Sequence, residues 1–159
     1  MSKTLIENLH LVKGLDPVAD FMAGTVSTDV VSMANHGKVL FVVYKGVGAT
    51  GTSTITVEAC DDFTPTTTSA IPFRYRTITS DDTHGAVTEA TTAGFTTTAG
   101  SSQIYLIEVD AIQLAVDGND YANVRLTAVE SANSPVVGSI LAIMLDPKYG
   151  AEVQTTVIS

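Results

Sequence analysis

The stretch that decides the fold runs from residue 38 to residue 60. It reads Lys38-Val-Leu-Phe-Val-Val-Tyr44, a glycine-rich link Gly46-Val-Gly-Ala-Thr-Gly51, then Ser53-Thr-Ile-Thr-Val-Glu-Ala-Cys60. The last segment alternates: Ile55, Val57 and Ala59 point one way, while Thr54, Thr56, Glu58 and Cys60 point the other. A period of two marks a half-buried strand, and β-branched, polar Thr suits its wet face. The first segment is apolar on both alternating faces, as a strand covered on each side would be. The link has the glycine density of a phosphate loop. It lacks the closing Gly-Lys-Ser/Thr and lies between two strands, so it is expected to be a hairpin connection.

The same signals continue along the chain. Phe73, Tyr75 and Thr77 alternate with Arg74, Arg76 and Ile78 after the break at Asp61-Asp62-Phe-Thr-Pro65. Residues 80–103 are rich in Thr, Gly, Ala and Ser, with short β-prone patches at 86–89 and 94–98 that read as loops or edge strands. Further strands are expected over 104–109, 122–129 and 136–145, and a β-prone stretch over 153–158. Roughly eight short strands without an amphipathic helix predict an all-β fold, an antiparallel β-sandwich of jelly-roll or immunoglobulin-like connection. Asp117-Gly118 followed by Tyr121 at the start of a strand resembles a tyrosine corner, in which the phenol closes an arch by bonding backbone upstream. The competing reading of Tyr121 is a half-buried aromatic at a strand start.

Residues 1–28 stand apart from the domain expected over 29–159. Leu5, Ile6, Leu9, Leu11 and Val12 cluster loosely before Gly14, Asp16-Pro17 and Gly24 interrupt any helix. They read as an arm, docked on its own domain or reaching a neighbouring subunit. Leu5, Ile6, Leu9, Phe21 and Met22 are its candidate contact residues.

Composition limits the function. The 159 residues fit one domain, which at this size buries about 70% of the surface of its unfolded chain and needs no disulfides. Hydrophobic residues make up 45% and charged residues 16%. No apolar run reaches the roughly 18 residues of a membrane span. Polar residues interrupt the start, MSKTLIENLHLVKG, so no signal peptide is expected. Cys60 is the only cysteine, which rules out an intrachain disulfide and fits folding in a reducing cytoplasm. A net charge of -9 repels phosphate, and the Lys and Arg residues are too few and scattered along the chain to suggest nucleic-acid binding.

Chemistry is sparse. His10, His36 and His84 lie in separate stretches without metal-ligand spacing, and no Gly-x-Ser-x-Gly elbow is present. Cys60 sits beside two acids, which disfavour its thiolate. Asp61-Asp62 and Asp81-Asp82 belong to no calcium loop and read as turn residues, whose side chains bond nearby backbone N–H groups. No cofactor, metal or catalytic residue is expected, so the chain reads as a non-enzyme. Tyr75, Tyr105 and Phe95 form the one plausible aromatic platform for a carbohydrate.

The segment KGVGATGTSTITVEACDDFTPTTTSAIPFRYR, with TEATTAGFTTTAGSSQIYLIEVD and DGNDYANVRL further on, resembles small proteins encoded among the virion structural genes of tailed bacteriophages. The likeness covers most of residues 30–145. It implies a virion component, a head decoration (cement) protein that binds the major capsid protein from outside, commonly a β-sandwich and often a trimer. The alternatives are a carbohydrate-binding virion module and a tail or head-tail connector subunit. The resemblance carries no functional residue position by position.

Overall fold

The structure is a computed structural model that describes residues 4–48, 50–149 and 156–158. A single helical turn, α1 (Leu5–Asn8), precedes the strands. These are β1 (His10–Val18), β2 (Thr25–Ser27), β3 (Val31–Ser32), β4 (His36–Lys45), β5 (Thr52–Cys60), β6 (Thr68–Ile71) and β7 (Phe73–Ile78). After them come β8 (Thr88–Ala90), β9 (Phe95–Thr96), β10 (Gln103–Asp110), β11 (Ala115–Val116), β12 (Asn119–Asp120), β13 (Asn123–Ala132) and β14 (Gly138–Pro147). The predicted all-β class holds, with more strands than the roughly eight expected, because several long runs are flanked by two- or three-residue edge pieces.

Two antiparallel sheets form the sandwich. The first runs β1-β14-β4-β10-β7-β8. The second runs β2-β13-β5-β6, with β3 extending the β2 edge along β13 and β9 extending the β6 edge along β5. The winding rests on two consecutive pairs. β4 and β5 lie in different sheets, as do β13 and β14, yet β4 pairs with β14 and β5 with β13.

The link between β4 and β5 is therefore a crossover between sheets, not the expected hairpin. Its glycines let the chain pass tightly against residues 134–138. At Gly51 a Cβ would overlap the Ser134 carbonyl oxygen and the Val136 side chain. A hairpin does occur at Asp117-Gly118, where φ values of 54° and 76° form the primed two-residue turn between β11 and β12.

The core is the space between the sheets. Val39, Phe41 and Val43 of β4, Tyr105, Ile107 and Val109 of β10, and Ile140, Ala142 and Met144 of β14 face it from one side. Ile55, Val57 and Ala59 of β5 and Val124, Leu126 and Ala128 of β13 face it from the other. All belong to one contiguous cluster, the arrangement that makes a sandwich a single cooperative unit. Thr54, Thr56 and Glu58 lie on the outer face, as their alternation predicts. Cys60 does not: neighbouring chain buries it completely.

The expected arm over residues 1–28 is sheet from His10 onward. β1 pairs with β14 along an edge and absorbs Gly14 and Pro17 through two register irregularities. An edge strand tolerates Pro because one side of it donates to no neighbour. β2 pairs with β13 in the opposite sheet. Phe21 and Met22 between them are 2% exposed and belong to the core cluster, so they are not contact residues. Leu5, Ile6 and Leu9 are exposed at 78%, 87% and 41%. At the other end, residues 153–155 of the β-prone stretch 153–158 lie outside the described residues. Val157 is buried, and its carbonyl accepts the Ser32 N–H at 2.8 Å.

Removing residues 1–9 is expected to leave the thermal midpoint within a few degrees of the full chain. Removing residues 1–24 strips an edge strand and three core side chains, Val12, Phe21 and Met22, a loss of at least about 3 kcal/mol. Urea unfolding of both truncations checks the contrast, and equal stability would dismiss β1 as a structural strand.

Candidate functional site

The two outer faces of the sandwich differ in kind. On the second sheet Glu58 and Arg125 are directly opposite and ion-paired at 2.8 Å, and Thr54 hydroxyl shares hydrogen bonds with Thr96 and Ser131. Water and cross-strand polar pairs satisfy such a face.

The first sheet is apolar outside as well as inside. Strand register assembles three outward rows. Leu11, Ile143, Leu40, Glu108, Arg74 and Glu89 form one. Lys13, Leu141, Val42, Leu106 and Arg76 form the next, and Ser139, Tyr44, Ile104 and Ile78 the third. Tyr44 and Leu11 are about half exposed, at 52% and 50%. No part of the described chain lies across this face as a third layer. A sheet apolar on both sides normally has a layer over each.

Charged groups border the apolar rows in balanced pairs. Lys38 bridges Glu108 at 3.3 Å and Asp110 at 3.2 Å, and these carboxylates raise its pKa, Asp110 most. Arg74 reaches Glu89 at 3.7 Å and Glu108 at 3.9 Å, and Lys13 reaches Asp16 at 3.1 Å. A shallow depression of about 380 Å³ lies among Leu40, Arg74, Arg76, Val87, Leu106 and Glu108. It is open and has no converging acid, base or nucleophile of the kind a reaction centre needs.

The other groups singled out in the sequence are occupied structurally. Burial, more than its acidic neighbours, pushes the Cys60 thiol up to about 11, so it is a poor nucleophile. Asp61 accepts the Thr66 hydroxyl at 2.8 Å and the backbone N–H groups of Thr66 and Thr67, which hold its pKa down and close a turn. Among the described residues, no group of three or more His, Cys, Asp or Glu is arranged to hold a metal.

Tyr75, Phe95 and Tyr105 do come together, Tyr105 in the core and Tyr75 and Phe95 half-buried against it. Tyr75 stacks on Phe95 with centroids 3.8 Å apart and planes 2° from parallel, and Phe95 tilts against Tyr105. Tyr105 is 1% exposed and offers no ring face to a sugar, and the stack covers one face each of Tyr75 and Phe95. Its phenol accepts the Thr98 N–H at 2.8 Å and donates to Gln103 at 2.9 Å. Tyr121, by contrast, is held through its backbone N–H to the Leu114 carbonyl at 3.3 Å, and its phenol makes no bond to upstream backbone. Asp117 accepts a hydroxyl bond from Ser69, which ties the β11–β12 turn to β6.

Two groups without a signal in the sequence stand out. Lys45 is fully buried, donates to the Thr98 carbonyl at 2.6 Å, and has its pKa lowered by desolvation. His10 and His36 meet edge to face at 5.6 Å, each with a buried Nδ1 that has no hydrogen-bond partner. Only pairing β1 and β4 on either side of β14 brings these histidines together.

Compared with known proteins, the chain matches no protein-family model and no curated relative. The fold and site define an all-β sandwich with one open apolar sheet face.

Burial first, then His10 and Lys148, hold the His36 pKa below its ordinary 6.5. The unfolded chain then binds a proton more readily, so stability is full above that value and falls as pH drops through the lower folded pKa. The expected outcome is a larger loss of urea stability between pH 8 and pH 5 for the wild type than for His36→Phe. Equal losses would mean that the histidine pair does not contribute.

Proposed function

We propose that this chain is a virion structural protein of a tailed bacteriophage, a head decoration protein that binds the major capsid protein on the outer capsid surface and stabilises the shell. It has no catalytic role in this reading, and it acts as a homo-oligomer, a trimer by preference. The likeness of residues 30–145 to phage virion structural proteins supports the phage assignment. The observation that carries the mode of action is the open apolar face of the first sheet, bordered by paired charges. A protein that works by contact needs a rigid scaffold and a desolvatable surface rather than a pocket.

An acidic chain suits the exterior, because packaged DNA repels net negative charge. Neither nucleic acid nor membrane is a partner in this reading. Among the described residues, no helix is long and apolar enough to cross a membrane. Leu5, Ile6 and Leu9 are exposed at the chain start and supply the apolar contact with the capsid.

Heads of the encoding phage, assembled without this protein and then mixed with it, are expected to show regularly spaced added density outside the shell by cryo-electron microscopy. A Leu5→Ser/Ile6→Ser/Leu9→Ser variant with unchanged circular dichroism is expected to bind those heads at least about tenfold more weakly. Density confined to the tail or connector, or no density, would falsify the decoration reading.

A further inference from the structure

We propose that the outer face of the first sheet is the surface through which this chain associates with a second copy of itself. This assignment rests on the homo-oligomeric part of the proposed function; because both copies use the same face, the contact is two-fold and gives a dimer in place of the preferred trimer. Its first support is size. Five strands, from β1 to β7, stand about 4.8 Å apart, and three outward rows repeat about every 7 Å, so with side-chain width the face measures about 500 Å². Two such faces together bury about 1,000 Å², which reaches the lower bound for a specific protein interface.

Charge is the second support, and it selects the occupant. The chain carries -9 overall, with 8 Lys and Arg against 17 Asp and Glu. Two copies therefore repel each other over most of their surfaces. The open face is the exception. Lys13, Lys38, Arg74 and Arg76 lie on or beside it, matched by Asp16, Glu89, Glu108 and Asp110. Half of the chain's cations gather where fewer than a quarter of its acids do, leaving this face neutral. A strongly acidic partner gains little from a neutral face, and a strongly basic one would seek the acidic remainder of the surface. A second copy meets least repulsion here, with Leu40, Val42, Leu106, Leu141 and Ile143 to bury.

The geometry also suits sheet stacking. Outer rows built on β14, β4 and β10 are continuous across strands, so two sheets can pack about 10 Å apart as the two sheets within each copy do. Contact of this kind needs no chain rearrangement.

Sedimentation velocity and light scattering on the full chain, over a micromolar to near-millimolar range, provide the test. The wild type is expected to associate, and Val42→Glu/Leu106→Glu to run as a monomer with a dissociation constant raised at least about a hundredfold. Val42→Thr/Leu106→Thr keeps the β-branched or β-compatible character of both positions and decides the matter if the charged pair misfolds. It is expected to weaken association about tenfold or more while the circular dichroism of the sheet is retained. A wild-type monomer throughout the range overturns the proposal and leaves the face to another protein. So does a folded variant that associates as the wild type does. Head binding is read separately: a monomeric wild type that still decorates heads sinks only self-association, and an oligomer that ignores heads sinks only the decoration reading.

Discussion

The pairing of β4–β5 with β14–β13 is the constraint on which the rest of the structure depends. Each pair crosses from one sheet to the other, so the two crossings lie against each other at the end of the sandwich where Gly46 and Gly51 meet residues 134–138. β4 is hydrogen-bonded along its length to β14 on one side and β10 on the other. A one-residue slip would exchange its two faces. Hydrophobicity alone does not forbid that slip, because Leu40, Val42 and Tyr44 are as apolar as Val39, Phe41 and Val43. The register is held instead by groups at the strand's end. Lys45 must reach the Thr98 carbonyl in a buried site, and a cation displaced from its acceptor there would be left desolvated and unpaired. Gly46 must meet Val137, whose carbonyl accepts its N–H at 2.7 Å.

Strands of the sandwich were legible wherever one face is wet. β5 and β7 alternate, β4 and β10 show as apolar runs, and the patches at 86–89 and 94–98 become β8 and β9, edge strands too short to bury much of their own. Residues 10–28 were not legible as strand. Gly14, Pro17 and Gly24 are breakers by local chemistry, but β1 lies at an edge, where bulges and a missing N–H cost little. Nor does local sequence reveal that Phe21 and Met22 fill the space beside the crossover. The tyrosine reading was half right for a similar reason. Asp117-Gly118 specifies a primed turn by itself, whereas a phenol's partner depends on packing, and the phenol bonded to neighbouring backbone belongs to Tyr105.

Electrostatics in this chain follow burial more than sequence neighbours. Cys60 illustrates the point: its adjacent acids raise the pKa, but the larger cause is complete burial, with Arg125 opposing both. His36 follows the same rule, since its site was set by strands from opposite ends of the chain. Such effects scale with desolvation and distance in three dimensions, and neither is encoded in residue spacing.

The open face shows the same separation between what a sequence pattern states and what it leaves to topology. Apolar residues on both sides of residues 38–44 correctly signal a strand, but the cover expected on each side is met on one only. They do not say who provides the second. Among the described residues one cover is present, the β5–β13 sheet, and no second layer lies over the opposite side. The charges around it were read as scattered because Lys13, Lys38, Arg74 and Arg76 are spread over more than sixty positions. Antiparallel register gathers them beside Glu89, Glu108 and Asp110. A chain with 16% charged residues does not wet its two outer faces alike. It places Thr54, Thr56 and the Glu58–Arg125 pair on one, and on the other it balances its charges around half-buried Leu, Ile and Val. That division is stable in isolation only at the cost of apolar area left in water, and a second protein layer removes that cost.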